Sequence, residues 1–199
     1  MGAGDEMPEA LRQIGSTVTL LTPSDLARSD LSHFDAIVTG VRAYNTRADL
    51  RTYHNRLLDY VQNGGTMIVQ YNGLERAALE HIGPFPFTVG GERVTVEEAP
   101  VVTQNKDLRV FHEPNEINAH DFDNWIQERG LNFASEWDSH YKPLFETHDP
   151  GQKPQLGGTL YAPYGKGIYI FTAFSWFRQL PAGVPGAYRI FADFISAKQ

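Results

Sequence analysis

Two polar groups stand at matching places in this chain: Arg42, Tyr44 and Asn45 after the apolar run AIVTG, and Gln70, Tyr71 and Asn72 closing TMIVQYN. An arginine can fork onto a carboxylate or onto sugar hydroxyls, while amides and phenols both donate and accept. Such a set suits recognition of a polar ligand and contains no obvious general base. The competing reading is that these side chains tie neighbouring loops together. Ser175, Arg178 and Gln179 in SWFRQLPAGVPG extend the set. There Pro185 can open a helix whose free N–H groups would hold an anion or a carbonyl oxygen. The alternative is an ordered loop pinned by Trp176 and Phe177. These nine residues form the candidate ligand-binding group.

Two histidine-bearing stretches are weaker. FHEPNEINAHD holds His112, Glu116, His120 and Asp121, but metal ligands must converge within roughly 2 Å of an ion. Pro114 and Asn115 interrupt any helix there, the string is not HExxH, and no third ligand is fixed, so no metal site is assigned. In THDPGQKP, His148 and Asp149 could form an oriented base, yet no serine or cysteine sits in a nucleophile elbow. Asp149 reads instead as a turn residue. No catalytic residue and no cofactor are assigned. GGERV and YGKGIY lack the strand–GxGxxG–helix context of a dinucleotide site and read as turns.

The composition is that of an ordinary globular protein. At 199 residues, one large domain can bury roughly 70% of its extended-chain surface without disulfides or metal. The formal charge of −7 speaks against a nucleic-acid partner, which calls for a basic face. The absence of cysteine removes disulfides and thiolate chemistry together. MGAGDEMPEA has neither the basic nor the apolar region of a signal peptide. The apolar run GIYIFTAFSWF is about half the roughly 20 residues a membrane span needs. The compartment stays open: cytoplasmic by default, exported if the chain belongs to a longer precursor.

The elements that must position the candidates follow from periodicity. Residues 35–72 read as strand, loop, amphipathic helix, Gly-Gly turn and strand, a βαβ unit with parallel strands. Thr46 and Asp49 have capping-box spacing, and Leu50, Tyr53, Leu57, Leu58 and Val61 make one apolar face. Ligands gather beyond the carboxyl ends of such strands. A helix is expected over 6–14, capped by Asp5, and a strand over STVTLLT at 16–22. A short helical segment follows at 24–31. Short strands follow at 84–103, then a helix at 118–130 capped by Asn118 with Phe122, Trp125 and Ile126 inward. GTLYAPY and GIYIFTAF, joined by Gly165-Lys166-Gly167, signal a hairpin, and PGAYRIFADFISA a closing helix. The order is odd at its start, because doubly wound folds open with a strand feeding the first helix. Either the sheet begins one strand later, or an upstream segment or another chain supplies that strand.

Several strings together carry a resemblance: GVRAYN, LLDYVQNGGTMIVQYN, PFPFTVGGERVTVEEAPV, DFDNWIQERGLNFASEWD and FRQLPAGVPGAYRIF. They resemble the C-terminal domain of bacterial PIG-L-type (N-acetylglucosaminyl deacetylase-like) proteins, over nearly the whole chain. The resemblance implies an α/β class I glutamine amidotransferase-like fold: a flavodoxin-like three-layer sandwich with a mostly parallel central sheet and an added β-hairpin region. It would be a single domain over 1–199, lacking its first strand. The cysteine nucleophile of amidotransferases is absent, Asn72-Gly73-Leu74 following the strand instead. The zinc deacetylase string AHPDDE is absent too. The expectation is therefore a non-catalytic accessory domain associated with carbohydrate metabolism, binding a sugar-like ligand or packing on a deacetylase catalytic domain. Trp137, Tyr44 and Tyr71 are candidates to stack on a sugar. The alternatives are a hydrolase using His148 or His112 with carboxylates, and a purely structural platform for homo-oligomers.

Overall fold

The computed structural model describes residues 5–75, 79 and 82–198. The chain opens with helices α1 (Met7–Gln13) and α2 (Pro23–Arg28) and strand β1 (Ala36–Thr39). Three short helices, α3 (Ala43–Thr46), α4 (Ala48–Thr52) and α5 (His54–Gln62), lead to strand β2 (Thr66–Gln70). Seven short strands follow: β3 (Phe87–Val89), β4 (Arg93–Val94), β5 (Val101–Thr103), β6 (Gly130–Leu131), β7 (Ala134–Trp137), β8 (Lys142–Pro143) and β9 (Phe145–Thr147). The hairpin β10 (Thr159–Tyr164) and β11 (Gly167–Thr172) and the helices α6 (Trp176–Gln179) and α7 (Pro185–Ser196) complete it.

The main sheet has the order β1-β2-β11-β10-β8. β2 runs parallel to β1 and to β11, pairing Ile68 with Val38 on one side and with Ile170 on the other. The expected parallel pair of the βαβ unit is therefore present. The expected flavodoxin-like three-layer sandwich with a mostly parallel sheet is not. Of the seven strand pairings among the described residues, two are parallel and five antiparallel. The ladders β3–β7, β4–β6 and β5–β9 stand outside the main sheet. The cause lies in connectivity. Only one helical crossover links sheet neighbours; the tight β10–β11 hairpin makes β10 antiparallel to β11, and the earlier strand β8 pairs antiparallel with β10. The hairpin is no appendage, since β11 is the middle strand.

Every residue of β2 is buried, so both faces of the sheet are covered. Helix α5 packs on β2 and β11, and α7 on β1 and β2. Thr66 Oγ1 donates to the carbonyl of Ala197 at 2.6 Å, tying β2 to the end of α7. Beside the hairpin, Phe122, Trp125, Phe145, Phe174 and Trp176 meet mostly edge to face, the geometry aromatic quadrupoles favour. Gly64 takes φ +117 after α5, and a Cβ on Gly65 would lie 2.1 Å from the Tyr60 ring. The Gly-Gly turn is thus a steric need.

Three local expectations are corrected. The helix expected from Thr46 is broken into α4 and α5, with Arg47 rather than Thr46 ahead of α4. Asp49 is held by the Arg47 guanidinium, and Thr46 Oγ1 donates back to Arg42 O at 3.1 Å. Segment 16–22 joins no ladder among the described residues. The helix expected over 118–130 is only a 3-10 turn, Ala119–Phe122, although Asn118 does cap it; Phe122 and Trp125 do point inward, but Ile126 is exposed. Side chains take the carbonyls that a helix would use: Trp125 Nε1 donates to Asp121 O at 3.1 Å, and Arg129 Nη1 to Phe122 O at 2.7 Å. Asn124 and Gln127 take φ near +60 (58 and 66), which closes off helical continuation. Capping of α1 differs slightly too. Glu6 precedes the helix, while the Asp5 carboxylate accepts from Met7 N at 3.4 Å and from Val41 N.

Candidate functional site

The chain leaves β1 through Arg42, whose φ of +54 turns it directly into α3. Its backbone N–H donates to Tyr71 O at 2.7 Å, so the exits of β1 and β2 are joined at the backbone. Around this joint the sheet's carboxyl rim is assembled. The Arg42 guanidinium reaches Glu75 at 3.0 Å, and Asn45 Nδ2 bonds the other Glu75 oxygen. Asn45 Oδ1 accepts from Gly73 N at 2.8 Å.

The rim continues across β2 to the exit of β11. The half-buried Tyr71 ring lies over Phe177, with centroids 6.1 Å apart and an interplanar angle of 28°. The Arg178 guanidinium sits 4.9 Å from the same Phe177 ring and donates through Nε to Glu128 at 2.9 Å. Ser175 Oγ donates to that carboxylate oxygen at 3.2 Å. Asn132 closes the arc, donating to Asn72 O at 2.9 Å. The structure thus gathers all three sequence clusters on one rim.

It also divides the nine candidates into two kinds. Tyr44, Gln70, Asn72, Ser175 and Gln179 are buried and engaged in holding loops. Tyr44 bonds His54 Nδ1 at 2.9 Å, and burial raises its hydroxyl pKa well above the ordinary value. Asn72 Oδ1 accepts from Tyr44 N at 3.1 Å, and its Nδ2 donates to Gln70 O at 2.8 Å. Gln179 accepts from Ile126 N at 2.8 Å and donates to Ile126 O at 2.9 Å. Gln70 donates to Thr39 O at 3.0 Å, while its Oε1 finds no partner among the described residues. Arg42, Asn45, Tyr71 and Arg178 are the members that reach the surface. Glu75, Phe177, Glu128 and Asn132 were not among the candidates. Phe177 lay visible inside SWFRQ, but Glu128 was hidden by the helix expected there.

This arrangement can bind but has little to react with. Glu75 and Glu128 are each engaged by an arginine. At the Pro185 helix the Asp121 backbone packs so closely on Gly186 that a Cβ there would lie 2.0 Å from Asp121 O. Trp137 lies on the β3–β7 ladder opposite Phe87, away from the rim's contacts.

Among the described residues the histidines do not assemble elsewhere. His112 bonds Glu116 at 2.8 Å on an exposed turn, and that bond, with one to the Lys106 carbonyl, raises its pKa. His120 faces Asp123 at 3.0 Å, whereas Asp121 is turned to Arg189 at 2.7 Å. His148 Nδ1 contacts the backbone carbonyl of Asp149, and the Asp149 carboxylate points to Thr95 and Val96. Among the described residues no group of three or more His, Cys, Asp or Glu is placed to hold a metal ion. No helix among them is long and apolar enough to cross a membrane.

No protein-family model matches the chain, and no curated protein does. Solved structures do share its fold. The cytoplasmic protein STM1381 of Salmonella typhimurium LT2 is similar with TM-score 0.60 and 17% identity, over 96% of this chain and 85% of that one. A second cytoplasmic protein of Salmonella typhimurium, STM3548, gives TM-score 0.61 at 14% identity, over 96% and 85%. A cold-adapted β-galactosidase from Rahnella sp. R3 gives 0.53 at 12% identity, over 92% of this chain but 25% of its own. At these identities the likeness is one of fold.

Proposed function

We propose that this chain is a non-catalytic accessory domain that works alongside a PIG-L-type carbohydrate de-N-acetylase and binds a sugar-like ligand on the rim around Tyr71. The observation that carries the reading is the Tyr71–Phe177–Arg178 stack, flanked by the Asn45 amide and the Arg42 guanidinium. A sugar offers an apolar C–H face edged with hydroxyls. An aromatic surface bordered by neutral amides and forked cations matches both parts. The link to a de-N-acetylase rests on the resemblance of GVRAYN, LLDYVQNGGTMIVQYN and FRQLPAGVPGAYRIF, all three of which contribute rim residues. The β-galactosidase is a precedent for this architecture forming a quarter of a larger carbohydrate-active chain.

Titration of the protein with N-acetylglucosamine and with glucosamine, followed by amide chemical shifts, tests the reading. The expected shifts cluster at residues 42–45, 71–73 and 177–178. They vanish in Tyr71→Ala and persist in Trp137→Phe. Shifts that are absent, or centred on Trp137, overturn the reading.

A further inference from the structure

The segment between β5 and the 3-10 turn Ala119–Phe122 contains a short 3-10 turn of its own, Arg109–Phe111, packed on α7. Val110 and Phe111 are buried, and Phe111 meets Phe145 edge to face, so this half is anchored in the core. The other half is a turn over 112–117, closed by Ile117 N donating to Phe111 O at 2.8 Å. Two side chains one helical turn apart on α7 grip it. Asp193 Oδ1 accepts from Asn115 N at 3.1 Å and from Asn115 Nδ2 at 2.7 Å. Arg189 donates through Nη2 to Glu116 O at 2.8 Å and through Nη1 to Asn115 Oδ1 at 3.3 Å.

Two titratable groups in this contact are arranged for their protonated forms. A neutral imidazole has one donor and one acceptor, whereas the imidazolium has two donors. His112 faces an acceptor on each side, Glu116 Oε2 at Nδ1 and the Lys106 carbonyl at Nε2, both at 2.8 Å. Only the cation satisfies both, and it thereby ties residues 106 and 116 across the base of the turn. Asp193 has no exposure, and its Oδ2 has no partner among the described residues. As a carboxylate it leaves charge on that unpaired buried oxygen. As an acid it loses the charge while Oδ1 still accepts from Asn115.

The neighbouring charges do not reverse this. Arg189, on the same helix, is turned to Asp121 at 2.7 Å, and Asp121, on the 3-10 turn packed against α7, disfavours a second negative charge at Asp193. Arg109 is engaged by Glu113, and strands β1 and β2 beneath the helix contain no charged residue. Beside His112, Asp107 adds to the negative charge of Glu116. Burial foremost raises the Asp193 carboxyl to about 6, and the Glu116 bond foremost raises the imidazole above 6.5. Both contributions are therefore complete in acid and are lost as pH rises through the folded values.

We propose that turn 112–117 is a proton-operated latch on α7, shut while His112 is a cation and Asp193 an acid, and released when both protons leave. Arg109, Glu113 and Pro114 line a cavity of about 890 Å³ between β1 and residues 16–21, beside Ile195 and Ser196 at the end of α7. Release of the turn thus alters a wall of that cavity. The inference does not rest on sugar binding at the rim.

Amide hydrogen exchange of the wild-type protein at pH 5 and pH 8, corrected for intrinsic rates, tests it. Protection at Asn115 and Ile117, the amides that close the turn, is expected to fall at least about tenfold. Ile68 and Ile170 in the main sheet keep theirs. The His112 ring protons are expected to titrate above 6.5 in wild type and lower in Glu116→Gln. Asp193→Asn keeps an acceptor for Asn115 without a titrating charge, so together with His112→Gln it should leave protection at Asn115 and Ile117 independent of pH. The proposal is overturned by equal wild-type protection at the two pH values, by an equal fall at Ile68 and Ile170, or by His112 titrating at or below 6.5. An undiminished fall in the double variant overturns it too, and the wild-type measurements decide even if that variant does not fold.

Discussion

Gln179 decides whether the rim is read correctly, because it sat among the ligand candidates and the structure gives it a different task. Its amide has no exposure and makes three bonds to one loop: Ile126 N at 2.8 Å, Ile126 O at 2.9 Å and Glu128 O at 3.4 Å. It stands in for the hydrogen bonds of the helix that residues 118–130 do not form. In Gln179→Ala the two shorter bonds are lost at about 1 kcal/mol each, and the vacated volume adds about another 1 kcal/mol. A total near 3 kcal/mol lowers Tm by roughly 6–12 °C in a protein of this size. Urea unfolding followed by tryptophan fluorescence reads it directly, since Trp125 and Trp176 lie in the adjoining cluster. Gln179→Glu sharpens the test. A carboxylate can still accept from Ile126 N but faces the carbonyls of Ile126 and Glu128, so its folded-state pKa rises above the unfolded value. That variant therefore gains stability relative to wild type as pH falls through the carboxylate range, and loses it as pH rises. A loss below about 0.5 kcal/mol in Gln179→Ala, the scatter of surface substitutions, would refute the structural role and return Gln179 to the ligand set.

Two carboxylates should respond to pH in opposite ways. Asp149 is opposed by burial, yet bonds from Val96 N, Thr95 N and Thr95 Oγ1 outweigh it and lower its pKa below 3.8. Its contribution is present above the unfolded value and is lost as pH falls through the folded one. Asp149→Asn turns an amide donor toward two N–H groups and should cost about 1–3 kcal/mol in urea melts at pH 7. Asp193 is raised to about 6, first by burial, with one oxygen on Asn115 and the other without a partner among the described residues. Its contribution is complete below the ordinary 3.8 and is lost as pH rises through about 6. Thermal unfolding between pH 5 and pH 8 should therefore show Asp193→Asn gaining on wild type as pH rises, and parallel curves would refute it.

Local signals were legible where one short-range rule governed the backbone. Asn63-Gly64-Gly65 had to end a helix, because Gly64 takes φ +117 and Gly65 has no room for a Cβ. The Gly165–Gly167 hairpin and the Pro185 helix start were equally readable. Asn118 was rightly a cap, but the helix behind it was not, since Gln179 and Arg129 reach that segment from far along the chain. The rim was half legible. The polar types at strand ends were visible, whereas the difference between surface Arg42 and buried Asn72 depends on which loop closes over which.

By itself the sequence determined the parallel pair of β1 and β2, the apolar faces of the helices and the position of the rim. These follow from period, turn chemistry and chain direction within a few dozen residues. Only the tertiary structure decided that β11 sits parallel beside β2 with β10 antiparallel on its other side, that Glu128 and Phe177 complete the rim, and that the strand-like segment 16–21 stands across a void from β1. Strand order and side-chain partnership depend on which distant backbone edges meet. A pattern of residue types carries the capacity to pair, but the partner is chosen by the whole fold.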